Sequence, residues 1–452
     1  MYIKSSRNNI FEQLKHICNS NKDEKNTLLS QLWRLVSGPM TLLLIPLFLN
    51  QTDQGLWYTF IGISALGIFA DLGFTSIVLQ FSAHEYAHLK FNDQELVGAD
   101  FHLARLSSLY KFVIRWSTKM TLFVFPIIMV IGIVLFRTRT NDYSWLFPWF
   151  IYLIASAFVF IASVLSSFVQ GLDNVAKVQR IILIQSICTT LFLLIFFILD
   201  FGLYSLGLSQ LVGVLVFFLF LKKDFGRTIY QLKKTHELVF NWKKDVLPLL
   251  FKYALSWGSG YLVFQIYTPI MFYFSGPIEA GKVGITITLV NAIYSISNVW
   301  FVAKIPKFNI LVAEKKWRSL DFLFNKTLKN TLITYIFGAL SMFTIILVFK
   351  GNIVIFDKIT ERFMGIIPLT MLLACWFFQI FISGSAIYLR AHKKEVYVYI
   401  SIINALYVLF STFLCSVLLN GEYIFLGFLS SYLLFGYSFY KIYQKSRAEW
   451  HH

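Results

Sequence analysis

The residues best suited to chemistry sit in one short stretch. His84, Glu85 and His88 spell HEYAH, a formal match to H-E-x-x-H. On a continuous helix this spacing puts two imidazoles on one face with a carboxylate between them, as a zinc protease needs to activate water. Such a site also needs a third protein ligand, and the sequence offers no convincing one. LDN at 172–174 and LDFG at 199–202 are weak echoes of the partner motif of intramembrane metalloproteases, and the accompanying Asn and Pro are missing. The expectation is no metal and no catalytic residue, with the cluster serving structure or a cavity mouth. There is no phosphate-binding Walker loop and no G-x-S-x-G nucleophile elbow, so the chain reads as a non-enzyme.

Charges inside apolar runs are the next candidates, because they are costly in hydrocarbon and mark ion or substrate paths. Asp71 lies deep in LGIFADLGFTSIVLQF (66–81), and Glu85 follows four residues beyond its end. Both are candidates for coupling to an ion. Arg34 lies one turn into the preceding run, and a long Arg side chain could reach Asp71, so a purely structural ion pair is the alternative. Further cations open or close apolar runs: Arg115 and Lys119, spaced with Lys111 along one helix face, then Lys252 and Lys304. With Arg34 they could ring a pyrophosphate group, which Arg and Lys match well. The alternative is that each snorkels to lipid phosphates and sets topology. Asn291 and Asn298, with Thr288 and Ser295, form a polar stripe that suits sugar hydroxyls or a neighbouring helix.

The elements that position these residues follow from composition. Of 452 residues, 57% are hydrophobic and 14% charged, where a soluble chain carries about 25% charged. Twelve apolar runs are long enough to span a bilayer as helices, near 31–50, 55–80, 113–136, 145–170, 178–200, 203–222, 248–274, 281–304, 328–349, 363–388, 396–418 and 421–441. With both termini inside, all Lys and Arg fall on inner segments except Arg137, Arg139, Lys282, Lys350, Lys358 and Arg362. That bias sets an N-in, C-in topology and accounts for the net charge of +17 without nucleic acid. Residues 1–30 form a polar inner segment with no cleavable leader in view, and residues 8–18 suit a short amphipathic surface helix. Residues 31–222 and 248–443 are two six-helix lobes, joined by a basic inner linker at 223–247 and followed by a tail at 444–452.

The lobes look like a parallel repeat. Gly38 and Pro46 correspond to Gly260 and Pro269, and SSFVQGLDNVAKVQ (166–179) to SAIYLRAHKKEVYV (385–398). Gly/Pro-interrupted helices at matching places in two halves point to a substrate path. Gly38, Pro39, Pro46, Gly260 and Pro269 are thus hinge candidates, with static kinks the alternative.

Twelve spans in two halves, the stretch ADLGFTSIVLQFSAHE (70–85) and the basic turn RAHKK (390–394) together resemble the Wzx-type polysaccharide flippases of the MOP superfamily, across nearly the whole chain. The resemblance implies a MATE-like, all-α fold of two pseudo-symmetric bundles in a bacterial inner (cytoplasmic) membrane. It implies an undecaprenyl-pyrophosphate-linked oligosaccharide, such as an O-antigen repeat unit, as substrate, and no cofactor beyond a proton or sodium gradient. Arg34 and the other inner cations would face the pyrophosphate. Membrane lipid is an obligatory partner, and a polysaccharide polymerase and a chain-length regulator are candidate protein partners. Two rival functions stay open. A multidrug exporter on the same fold would prefer an acidic cavity. A membrane-embedded polysaccharide polymerase or ligase would carry a large outer loop, and here the outer loops are short.

Overall fold

The computed structural model describes residue 33 and residues 37–92, 94–235, 240–349, 360–392, 394–419 and 421–450. Arg34 and the surface helix expected at 8–18 lie outside the described residues, as do the side chain of Lys252 and residues 350–359 of the outer loop expected at 350–362.

Helix α1 covers Ser37–Phe48 and α2 Gln51–Ser64, whose N-cap Asn50 accepts from the Asp53 amide at 2.8 Å. A 3₁₀ turn and one helical turn carry the chain on to Asp71. There Leu72 and Gly73 adopt positive φ, 47° and 79°, and α3 restarts over Phe74–Tyr86. A hairpin follows, β1 Leu89–Asn92 antiparallel to β2 Glu95–Gly98. Then come α4 Asp100–Arg137, α5 Leu146–Gly171, α6 Val175–Ile198 and α7 Tyr204–Lys234. Next are α8 Trp242–Phe264, α9 Tyr267–Ser275, α10 Pro277–Val302 and α11 Ile305–Ala313. The chain ends in α12 Trp317–Phe349, α13 Ile366–Ala391, α14 Val398–Leu418 and α15 Leu426–Trp450.

Among the described residues, eight helices are long and apolar enough to cross a bilayer, or nine if the broken α2–α3 pair counts as one span. Their outer faces carry exposed apolar stripes at helical spacing. On α4 these are Leu122, Phe123, Ile127, Val130 and Val134; on α14, Ile403, Leu406, Phe410 and Val417. Water does not tolerate such stripes at this scale, whereas hydrocarbon does. The chain is a multi-pass membrane protein.

Three expectations about the elements need correction. Residues 81–112, expected as an inner connection, hold the end of α3, the hairpin and the first turns of α4. The alternation in LKFN and ELVG buries Leu89 and Leu96 on one face, the period-2 pattern of a strand. The run 248–274, expected as one span, breaks at Gln265–Ile266. Pro269 has no N–H to give the Gln265 carbonyl, so the ladder stops there. Finally, α7 does not stop at 222 but runs on to Lys234.

The chain forms two compact units. The first gathers Phe69–Val130 and Leu146–Ala254; the second gathers Gly38–Ile68, Ile131–Trp145 and the chain from Leu255 onward. Within the first, α5 lies on α3 where Gly171 sits against Ser82 and the Leu79 carbonyl, and α7 meets the backbone of α5 at Gly207 beside Tyr152. Lipid tails are as apolar as the side chains, so close backbone approach at small residues is what binds such helices.

In the second unit α2 meets α10 in the same way, through Gly55, Gly281 and Gly284, the last seated under Tyr58. At its other end Phe301, Phe308, Leu320, Phe324 and Tyr388 form a hydrophobic core. Against that core Asp321 accepts from the Tyr388 hydroxyl at 2.6 Å and from Arg447 at 2.5 Å. His392, just past α13, lies between Trp317 and Trp450, with ring centroids 5.8 and 4.8 Å away. Burial, with Lys394 adding repulsion, lowers its pKa below the ordinary 6.5, although the Tyr388 carbonyl favours the charged ring. A depressed pKa makes the unfolded chain the stronger proton acceptor, so this contribution is complete above about pH 6.5 and is lost as pH falls through the folded value. Thermal unfolding followed from pH 8 to pH 5 should show this loss, and His392→Phe should flatten the profile.

Candidate functional site

The break in the second span is built around Asp71. Its carboxylate accepts from the Gly73 and Thr75 amides at 3.2 and 3.0 Å and from the Thr75 hydroxyl at 3.1 Å. The Thr75 amide is one of the orphan donors of the first turn of α3, where the helix dipole also favours a negative charge. An Asp-Leu-Gly sequence suits this, since Asp caps and Gly takes the left-handed turn. Asp71 is therefore both the deep acid of the span and the clasp of its break.

Glu85, near the other end of α3, is almost fully buried, with 1% of its side chain exposed. His102 Nδ1 lies 2.9 Å from one carboxylate oxygen and Arg105 Nη2 3.0 Å from the other. The Arg105 guanidinium sits 4.5 Å from the Phe240 ring and 5.6 Å from the Trp242 ring. Trp242 in turn donates to Ser108 at 3.2 Å and packs edge-on against Phe81. The segment leading to these aromatics is pinned to α4 as well: Ser107 donates to the Leu232 carbonyl at 2.6 Å, and Lys111 to the Thr235 carbonyl at 3.1 Å. The whole is a latch at one end of the first unit, in which a buried carboxylate holds a cation that holds the aromatic start of α8.

His84, Glu85 and His88 do not share one helical face. Helix α3 ends at Tyr86, so His88 leaves the helical face and stacks on His102 at 3.9 Å. No group of three candidate ligands occurs among the described residues. The carboxylate that would serve as a base is held by Arg105.

The first unit also holds Arg115 and Lys119 on α4, both exposed, with Arg115 Nε donating to the Lys111 carbonyl at 3.3 Å. In the second unit Lys304 is exposed at the junction of α10 and α11, and Asn291 and Asn298 are half-buried on α10. Gly38 and Pro39 open α1, and Pro46 stands two residues from its end. Pro269 lies in the first turn of α9, immediately after the break, whereas Gly260 is inside continuous α8. A Cβ on Gly260 would meet nothing within 4 Å. Sequence reasoning missed His102, Arg105 and Trp242. Their signal was a His-x-x-Arg pair one turn apart in a polar stretch, whose partner Glu85 had been assigned elsewhere.

No protein-family model and no curated protein matches the sequence. Solved structures do match. The inward-facing conformation of a multidrug resistance MATE family transporter of the MOP superfamily aligns with a TM-score of 0.61 at 14% identity, covering 93% of this chain and 95% of that one. A MOP superfamily transporter from Pyrococcus furiosus, described as having a binding pocket of reverse polarity, aligns at 0.55 and 10% identity over 95% of both chains. The lipid II flippase MurJ, in an inward closed conformation, aligns at 0.54 and 14% identity over 95% of this chain and 91% of that one. The chain has the fold of the MOP superfamily transporters.

Proposed function

We propose that this chain, folded as the MOP transporters are, is a flippase that carries an undecaprenyl-pyrophosphate-linked oligosaccharide from the inner to the outer leaflet of a bacterial inner membrane. The observation that carries this reading over drug export is the state of the two acids proposed for coupling. Asp71 is engaged by three donors of Gly73 and Thr75 at the start of α3, and Glu85 by His102 and Arg105. Neither is offered to a cationic ligand, while Lys119 and Lys304 are exposed. A cationic surround suits a pyrophosphate. In this reading Arg34, Arg115, Lys119, Lys252 and Lys304 hold the head group, and Asn291 and Asn298 meet the glycan. The two lobes, 31–222 and 248–443, alternate access with both termini cytoplasmic, and Gly38, Pro39, Pro46, Gly260 and Pro269 accommodate the bending.

Coupling to a proton or sodium gradient is assigned to Asp71, with Glu85 second. Protonating Asp71 turns an acceptor-only group into one that also donates, which loosens the clasp at Leu72–Gly73. Asp71→Asn keeps a capping side chain but removes the titration. It should fold normally and flip at a rate indifferent to the gradient; full gradient dependence in this variant would remove Asp71 from the coupling.

The test of the function is movement in proteoliposomes loaded with mixed undecaprenyl-pyrophosphate oligosaccharides, scored by which glycans become accessible on the far side. Wild type should move them under a gradient, and Arg34→Ala should lose most of that movement. Folded protein that moves no lipid-linked glycan would overturn the proposal in favour of drug transport.

A further inference from the structure

The second unit contains a cavity of about 200 Å³, walled by α8, α13, α14 and α15. Resting on the flippase reading, we infer that this cavity is a subsite for one uncharged pyranose ring of the translocated glycan. Its walls are polar where a membrane bundle is ordinarily apolar. Gln379 accepts from the Tyr432 hydroxyl at 2.9 Å through Oε1, which leaves its amide N–H groups without an acceptor among the described residues. Asn404 is 9% exposed, and its Oδ1 is buried without a partner. Ser401 contributes a hydroxyl to the same wall. A buried acceptor such as the Asn404 oxygen is costly to leave unpaired, so this arrangement makes sense where something else completes it.

The chemistry of that occupant is constrained. Two carboxamides and a hydroxyl offer donors and acceptors together, which matches the paired hydroxyls of a sugar. The Phe264 and Phe439 rings supply apolar wall for its C–H face. Among the described residues the charges on the wall are Arg390 and Glu395, which bond to each other at 2.8 Å, so the arginine is already committed to a carboxylate and a carboxylated sugar would have to compete for it. The volume lies below the roughly 300–1,000 Å³ of drug-sized pockets, which suits a single ring. Arg390 and Glu395 flank the basic turn expected on the inner side, where a lipid-linked glycan is presented. Gly260 leaves room beside this wall, since a Cβ there meets nothing within 4 Å.

The experiment is saturation-transfer NMR on the full chain in nanodiscs with free sugars: a hexose, an N-acetylhexosamine and a hexuronate. Transfer to at least one neutral sugar is expected, and none to the hexuronate. Asn404→Leu and Gln379→Leu should each weaken the neutral-sugar signal at least tenfold, and Gly260→Val, which fills the cavity without opposing any neighbour of its Cβ, should do the same. No transfer to any neutral sugar, equal transfer to the hexuronate, or signals unchanged in all three variants would overturn the inference. Vesicle flipping by wild type, measured in parallel, separates the two readings. Flipping without sugar at the cavity removes the subsite alone; sugar at the cavity without flipping removes the flippase and leaves the site.

Discussion

Glu85→Ala is expected to destabilise the first unit by about 3–5 kcal/mol, the usual consequence of removing one partner of a buried ion pair. The loss is large because Glu85 is 1% exposed and Arg105, 21% exposed, then keeps its charge without a carboxylate. The damage should also travel. Arg105 lies over Phe240 and Trp242, so the aromatic start of α8 loosens with it. Three readouts should move together: a lower unfolding temperature, a red-shifted Trp242 emission, and new protease cleavage between Thr235 and Trp242. Replacing both charges, with Glu85→Leu and Arg105→Met, should restore most of the stability, because an apolar pair of similar volume is often as stable as a buried ion pair. A loss below about 1 kcal/mol in Glu85→Ala would place the pair with ordinary surface bridges.

Gly55→Ala should be nearly as harmful, although it adds a single methyl group. The new Cβ would fall on the Pro277 carbonyl, which is backbone and cannot step aside. Helices α2 and α10 must part, and overpacking of this kind costs about 1–3 kcal/mol. Their separation would also stretch the two bonds Gln54 donates, to the Gly281 carbonyl at 3.2 Å and the Arg362 carbonyl at 3.3 Å, each worth about 1 kcal/mol. Gly38→Ala is the internal control. Its Cβ meets nothing within 4 Å, and Ala is the better helix former by about 1 kcal/mol, so this variant should match or exceed wild type. Equal stability of the two variants would show that α2 and α10 tolerate separation at Gly55.

The spans were legible because hydrophobic length is a local property. Helices α4 to α7 and α13 to α15 follow the apolar runs that announce them. What was illegible depends on partners distant in sequence. HEYAH reads as a zinc motif only if the helix continues; it ends at Tyr86, and the carboxylate is committed to Arg105. Asp71 was visible as a buried acid, but its task as a cap depends on a left-handed turn at Leu72–Gly73, which only the pattern Asp-Leu-Gly hints at. The hairpin at 89–98 was hidden by its brevity: eight alternating residues between two helices resemble any polar connection. The Pro269 break is the reverse case: the proline marks a kink in the sequence, and the ladder does not bend at Gln265 but stops there.

The latch also has a consequence for how the protein is made. Trp242 and Ser108 are 134 residues apart in sequence, and at the ribosome's roughly 5–20 residues per second the tryptophan is synthesised on the order of ten seconds after the serine. Until then Arg105 has Glu85 and Phe101 but lacks the Phe240 and Trp242 rings, so the first unit cannot finish its own packing while its spans are already being inserted. A chain halted after Lys234 would remain in that unfinished condition and be open to quality-control proteases. Completion of the early helices thus waits on the start of the later ones, which ties the survival of the first unit to continued synthesis of the rest.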